Sequence, residues 1–275
     1  MQERRCSALG DVPHCEAFLG YPNVRAAQEP AEKKKLDQRY LTARNDAKSR
    51  SCEPVLDQFE DAVCQSQAVI SRRWGVLTKI SEHSNDLFKT YYQQLTDQDR
   101  LPQDSYFDRA RLAVDATFFP YYHEHTNFAA LSLDGTGPAS YGECSFVFRK
   151  DAISHRTTVF EENTLVFCEK HSILVGQTPP AGYRTVWEDR HRLAAAKLHD
   201  EIDDQTEPDS FPGTLLKQKG GTDSDEFIEV HIYGKLDLTA VERFIAPKPR
   251  RKDDEVLARR LKRKLRDAGA KIENT

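Results

Sequence analysis

Residues 226–247 read EFIEVHIYGKLDLTAVERFIAP. Phe227, Glu229, His231 and Tyr233 alternate with Ile228, Val230 and Ile232, which is the period of a β-strand and sends the two sets to opposite faces. The aliphatic set requires a core on its side of the sheet. The other set faces the opposite side. LDLTAVERFIAP follows directly, and Pro247 and Pro249 close the segment, because proline cannot continue a strand ladder. Upstream, NFAALSL (127–133) is apolar and DGTGPASYG (134–142) is a turn with three glycines and a proline. CSFVFRK (144–150) alternates as a strand does, and RTTVF (156–160), TLVFCEK (164–170) and SILVG (172–176) are further strand candidates. VWEDRHRLAAAKLHDEI (186–202) reads as a helix.

The flanking regions have other textures. Residues 1–30 hold Gly10, Pro13, Gly20, Pro22 and Pro30 without a sustained period and read as an irregular or disordered arm. Residues 31–100 read as helical: Leu56, Phe59, Val63, Ile70 and Trp74 lie near one face, Leu87, Tyr91 and Leu95 form a second stripe, and Glu53-Pro54 is a helix start. Residues 101–247 form the sheet domain. Residues 248–275 form a basic amphipathic tail helix with Leu257, Leu261 and Leu265 at i, i+4 spacing. The leucines are expected to dock this helix on the body of the protein, leaving the functional site upstream. The expected class is α+β: a helical N-terminal region plus a mixed β-sheet domain.

The composition, 38% apolar and 31% charged over 275 residues, is that of a polar globular chain. No apolar stretch approaches the ~20 residues of a membrane span. Met1 is followed by polar and charged residues rather than the apolar core of a signal peptide, so export would use another route. The six cysteines contain no CxxC pair, which argues for reduced structural thiols rather than a zinc site or disulfide framework. Net charge is −4, yet 247–275 carries +6, leaving −10 for the remainder. That balance gives no expectation of nucleic-acid binding. Residues 200–225 read as a solvated loop, with six acids among 200–209. Tyr121, Tyr122, His123 and His125 cluster, but no third metal ligand stands at useful spacing. No Walker, GxSxG or GxGxxG motif occurs.

Two further features carry a resemblance. In 127–164, Tyr141-Gly142 precedes an alternating strand, then Arg156-x-Thr158 and an acidic turn. In 226–247, a strand glutamate precedes a hydrophobic run. Together with the helical approach from Glu53, this resembles the bacterial mono-ADP-ribosyltransferase effectors and toxins, among them those that modify ubiquitin on threonine. The resemblance implies that 101–247 is a split mixed β-sheet domain of the ADP-ribosyltransferase type, with NAD as co-substrate, a host protein as acceptor, and action in the host cytosol after secretion. It implies Glu229 as the catalytic carboxylate, with Glu226 as the alternative. Ser132 is the nearest strand serine, since the family's Ser-Thr-Ser triplet is absent. Tyr141 either stacks on nicotinamide or fills the core under its turn. His83 is the first-strand cation, with Arg111, Arg44 and Arg73 as alternatives. Phe227 stands where an arginine-directed enzyme carries an acid. The competing reading is a non-enzymatic interaction protein that binds partners through the acidic loop and basic tail. A third is a nuclease-type toxin.

Overall fold

The computed structural model describes residues 20–77, 87–96, 106–174, 176–222, 224–249 and 251–275. It is an α+β fold around one eight-stranded mixed sheet. The strands are β1 (Gln67–Arg72), β2 (Thr126–Ser132), β3 (Cys144–Phe148), β4 (Thr157–Phe160), β5 (Arg184–Val186), β6 (Glu229–Tyr233), β7 (Val241–Ala246) and β8 (Lys271–Asn274). Their order is β8-β7-β3-β1-β2-β6-β4-β5, so the sheet is continuous where a split one was expected. Among the described residues, only the β7–β8 pair of this sheet is parallel.

The alternation in 226–233 has the expected consequence. Val230 and Ile232 are fully buried with Ala129, Leu131, Ala68, Ile70, Phe146 and Phe244 in the main core. That face is covered by α1 (Pro22–Ala27), α2 (Pro30–Ser49), α3 (Glu53–Cys64) and α6 (Arg190–Leu198). On the opposite face, α4 (Tyr106–Phe118) and α5 (Thr164–Lys170) bring Val114, Phe118, Leu165 and Phe167 against Phe160, with Phe128 and Tyr233 alongside.

The sequence reading is corrected in several places. The helical region from 31 is interrupted after Cys64: Ile70 lies in β1, near the centre of the sheet, and Leu87 in a two-residue strand, while Tyr91–Thr96 is helical as expected. Val63 and Ile70 are seven residues apart, a spacing that fits a helix face, but the chain turns at Gln65-Ser66 and re-enters the same core as a strand. Arg111 opens no strand; it belongs to α4. TLVFCEK is helical because the Asn163 side chain accepts from the Leu165 and Val166 amides and caps the first turn. Of SILVG, the described residues 172–174 and 176 form no strand. The arm read as irregular contains α1 within its described part. The loop read over 200–225 holds a helical turn at Phe211–Leu215, both of whose ends are buried, with Phe211 edge-on to Phe59 at 5.3 Å.

The tail goes further than a docked helix. In α7 (Lys252–Asp267), Leu261 and Leu265 of the expected stripe join the main core with Ala258, while Leu257 is only partly buried, so the helix docks on the protein body. The chain then turns at Gly269 and adds β8 beside β7, pairing Arg243 with Lys271 through Ala246 with Asn274. Replacing the fully buried Leu265 by alanine is expected to cost about 2–5 kcal/mol, as other large-to-small core changes do. Chemical denaturation measures this, and a loss below ~1 kcal/mol would mean that the tail is not part of the cooperative core.

Candidate active site

Glu229 opens β6 and is 4% exposed. It faces away from the main core because Val230 and Ile232 occupy the other parity. Its cross-strand neighbours are Ala130 on β2 and Phe160 on β4. Ala130 is itself buried, in a cluster with Leu216 and Phe227 against which Tyr141 packs. Oε2 lies 2.9 Å from His231 Nε2, the next residue of the same parity. Oε1 accepts from Asn163 Nδ2 and Oε2 from the Thr164 amide, each at 3.4 Å. Both are longer than the usual N–H···O range. The carboxylate is thus held firmly by one partner and loosely by two. The His231 ring is enclosed by Phe119 (4.5 Å between centroids), Phe128 (5.4 Å) and Phe160 (6.0 Å).

A cation stands over the same face. Arg111 reaches down from α4, its guanidinium 4.9 Å from the Tyr91 ring centroid and 4.8 Å from that of Phe128. Its Nε donates to Asp115 Oδ2 at 3.2 Å, one helical turn along. Asp115 is 2% exposed and also accepts from the Tyr92 hydroxyl at 2.9 Å. Burial opposes the Arg111 charge, but Asp115 and Glu229 outweigh it and leave its pKa above the ordinary value. Burial lifts the Asp115 carboxyl, with Arg111 and Tyr92 pulling it back. Two aromatic faces and one carboxylate therefore fix the orientation of the guanidinium, on a side chain that is 30% exposed as a whole.

Tyr141 forms the third side. Its hydroxyl accepts from Asn163 Nδ2 and donates to the Thr222 carbonyl, both at 3.4 Å. Its ring lies edge-on to Phe227 at 6.1 Å. Burial first, then the Glu229 charge, pushes its phenol far above the ordinary range. The loop that carries it is pinned at two points. Gly142, at φ +149°, sits so close to β1 that a Cβ would lie 2.1 Å from the Arg72 carbonyl carbon. The buried Asp225 accepts from Ser140 Oγ at 2.5 Å and from the Lys219 and Gly220 amides.

Of the residues singled out in the sequence, Glu229, Tyr141 and Arg111 converge here. Glu226 does not. It belongs to a separate two-stranded ribbon with Leu216–Lys217, where Lys217 and Lys219 hold its carboxylate and lower its pKa. Ser132 shares the parity of Ala130, but its hydroxyl is committed to a turn, donating to Asp134 and accepting from the Gly135 amide, both at 3.0 Å. His83 lies outside the described residues. Arg44 ties α2 to α3 through Glu53, Asp57 and Glu60. Arg73 meets the Ser140 carbonyl at 3.5 Å. Burial raises the thiol pKa values of Cys144 and Cys168, as befits inert core cysteines. Among the described residues no group of three His, Cys, Asp or Glu is arranged to hold a metal ion.

Sequence reasoning missed His231 as a partner of Glu229, and missed Asn163, Asp115 and Tyr92 altogether. The i, i+2 spacing of Glu229 and His231 on one strand face was the available signal. Asn163 is a strong cap residue before an apolar run, and that pattern also marked the helix that was missed. No family model matches this chain, and no curated protein does.

Asn163 separates fold from site. Asn163→Ala should lose about 1 kcal/mol of stability with the cap. Asn163→Asp should keep the cap but set a second carboxylate beside Glu229, so stability is retained while any chemistry at Glu229 falls. Thermal melts run beside an activity assay distinguish the two. The tyrosines give a pH test. Tyr40, through burial and its bond to Glu60, is raised from 10.0 to about 12. Tyr92 and Tyr141 are raised beyond it. Raised phenols bind protons more tightly when folded, so their stabilisation is complete below the unfolded value and is lost as pH rises through the folded values. Stability should therefore decline above pH ~10. In the ultraviolet titration, Tyr141→Phe should leave the phenols that titrate near pH ~10 unchanged and remove one that titrates later; loss of a phenol titrating near ~10 would place Tyr141 in water.

Proposed function

We propose that this protein transfers ADP-ribose from NAD to a protein acceptor, with Glu229 as the catalytic carboxylate. The observation that carries the reading is the enclosure of Glu229: a strand-mounted carboxylate held by His231, with the Arg111 guanidinium and the Tyr141 ring on the same side of the sheet. These residues fit NAD chemically. Arg111 supplies a fixed cation for the diphosphate, and Tyr141 an aromatic surface for a ring. Breaking the bond between nicotinamide and ribose leaves positive charge on the sugar, as in other glycosyl transfers.

Glu229 is placed to oppose that charge. A buried carboxylate is poorly screened, and its orientation is fixed before substrate arrives, so little reorganisation is needed as charge develops. His231 holds one oxygen. The Thr164 amide meets that same oxygen, and the single long contact from Asn163 leaves the other oxygen capable of meeting a ribose hydroxyl. Asp115 and Tyr92 keep Arg111 from collapsing onto Glu229. Phe227 is buried against Tyr141, where arginine-directed relatives of the family carry an acid, which favours a hydroxyl acceptor such as threonine. Ubiquitin, presented by a host cell into which the protein is delivered, is the first acceptor to test. The acidic side chains at 200–209 offer complementary charge to a basic acceptor surface.

The test is nicotinamide release from NAD, with mass spectrometry of a host lysate incubated with protein and NAD. Glu229→Gln should lower transfer by about 10²-fold or more at unchanged melting temperature, the effect of losing one preorganised electrostatic group. Glu226→Ala should leave it nearly unchanged. Equal turnover by wild type and Glu229→Gln, or no NAD consumption by the wild type with any acceptor, would defeat the reading.

A further inference from the structure

The β4–β6 ladder ends at the Phe160–Glu229 pair. Beyond it the two chains part. After Phe160 the backbone leaves the sheet through Glu161 and Glu162 to cap α5 with Asn163. Before Glu229 it runs into the ribbon formed by Glu226–Phe227 and Leu216–Lys217. The gap opens at the residues that surround the Glu229 carboxylate, and the ladder no longer sets the distance between the two chains.

Lys197 fills that gap. It projects from α6, whose Leu193, Ala194 and Leu198 are anchored in the main core. Its Nζ donates to the Glu161 carbonyl at 2.7 Å and to the Phe227 carbonyl at 3.5 Å. Glu161 is two residues before Asn163, and Phe227 is two residues before Glu229. The acids nearby already have partners: Glu161 pairs with Arg39, Glu162 with Lys170 at 3.2 Å, and Glu226 with Lys217 and Lys219. The ammonium is therefore committed to backbone, bridging two segments that share no ladder bond at that point.

We infer that Lys197 is a positioning residue for Glu229, stapling the Glu161 and Phe227 carbonyls so that Asn163 and the Thr164 amide stay within reach of the carboxylate. Burial lowers the Lys197 pKa against the pull of Glu162, Glu161 and Glu226, while Lys170 adds to the lowering, in keeping with an ammonium withdrawn from water. The inference concerns the geometry of the pocket; it rests on the NAD reading only for what that pocket does.

The test is amide hydrogen exchange by NMR on the full chain. In Lys197→Met, the Thr164 and Leu165 amides should exchange about tenfold faster or more, while Val69 and Leu131 in β1 and β2 stay within about twofold, the pattern of local rather than global opening. Lys197→Arg should restore most of the protection. If the methionine variant does not fold, Lys197→Gln, which keeps a neutral donor, carries the same comparison. In NAD turnover, kcat should fall with KM little changed, and Lys197→Arg should recover it. Unchanged exchange at Thr164, or a uniform rise across the sheet, would overturn the assignment. Absence of NAD turnover in the wild type would instead defeat the NAD reading, and the exchange data would still decide the role of Lys197.

Discussion

A carboxylate that is 4% exposed in the middle of a sheet is the constraint around which this molecule is arranged. Burying a charge is costly unless it is paired and hydrogen-bonded. Glu229 has one close partner, His231, and two loose ones on the cap of α5. Around them the chain assembles a second buried polar group, Arg111 with Asp115 and Tyr92, on a helix that crosses the same face. Such an arrangement adds little to stability compared with apolar side chains of equal volume. Its rationale is a fixed field over a small part of the sheet surface.

The supports of that field come from distant parts of the chain. The strand is held flat by its apolar parity, which packs on α2, α3 and α6. The turn that carries Tyr141 is pinned against β1 by Gly142 and against residues 219–225 by Asp225. Lys197 reaches through from α6 to the point where the ladder opens. Even the C-terminal tail contributes, since α7 and β8 complete the sheet beside β7 and give the opposite face a continuous core.

What was legible in the sequence follows the strength of each local signal. The alternation of 229–233 placed Glu229 on one face and Val230 and Ile232 on the other, as the structure has them. The Leu257, Leu261 and Leu265 stripe announced a docked helix. The errors arose where two periods fit one run. Val63 and Ile70 suit a helix face but belong to a helix and a strand, and TLVFCEK suits a buried strand but is helical once Asn163 caps it. Glu226 and Glu229 are three residues apart in sequence, yet a break at Ile228 sends one to a lysine-paired ribbon and the other to the site. Asp115 and Tyr92 gave no signal, because their role depends on which helix crosses which strand, and only the tertiary fold decides that.

The proposal that NAD binds at the Glu229 face is open to chemical-shift mapping with NAD. Shifts are expected to concentrate at Arg111, Tyr141, Thr164, Glu229 and His231, with affinity reduced by Arg111→Ala, and to be absent around Glu226. Saturable shifts that centre elsewhere, or no shifts at millimolar NAD, would contradict it.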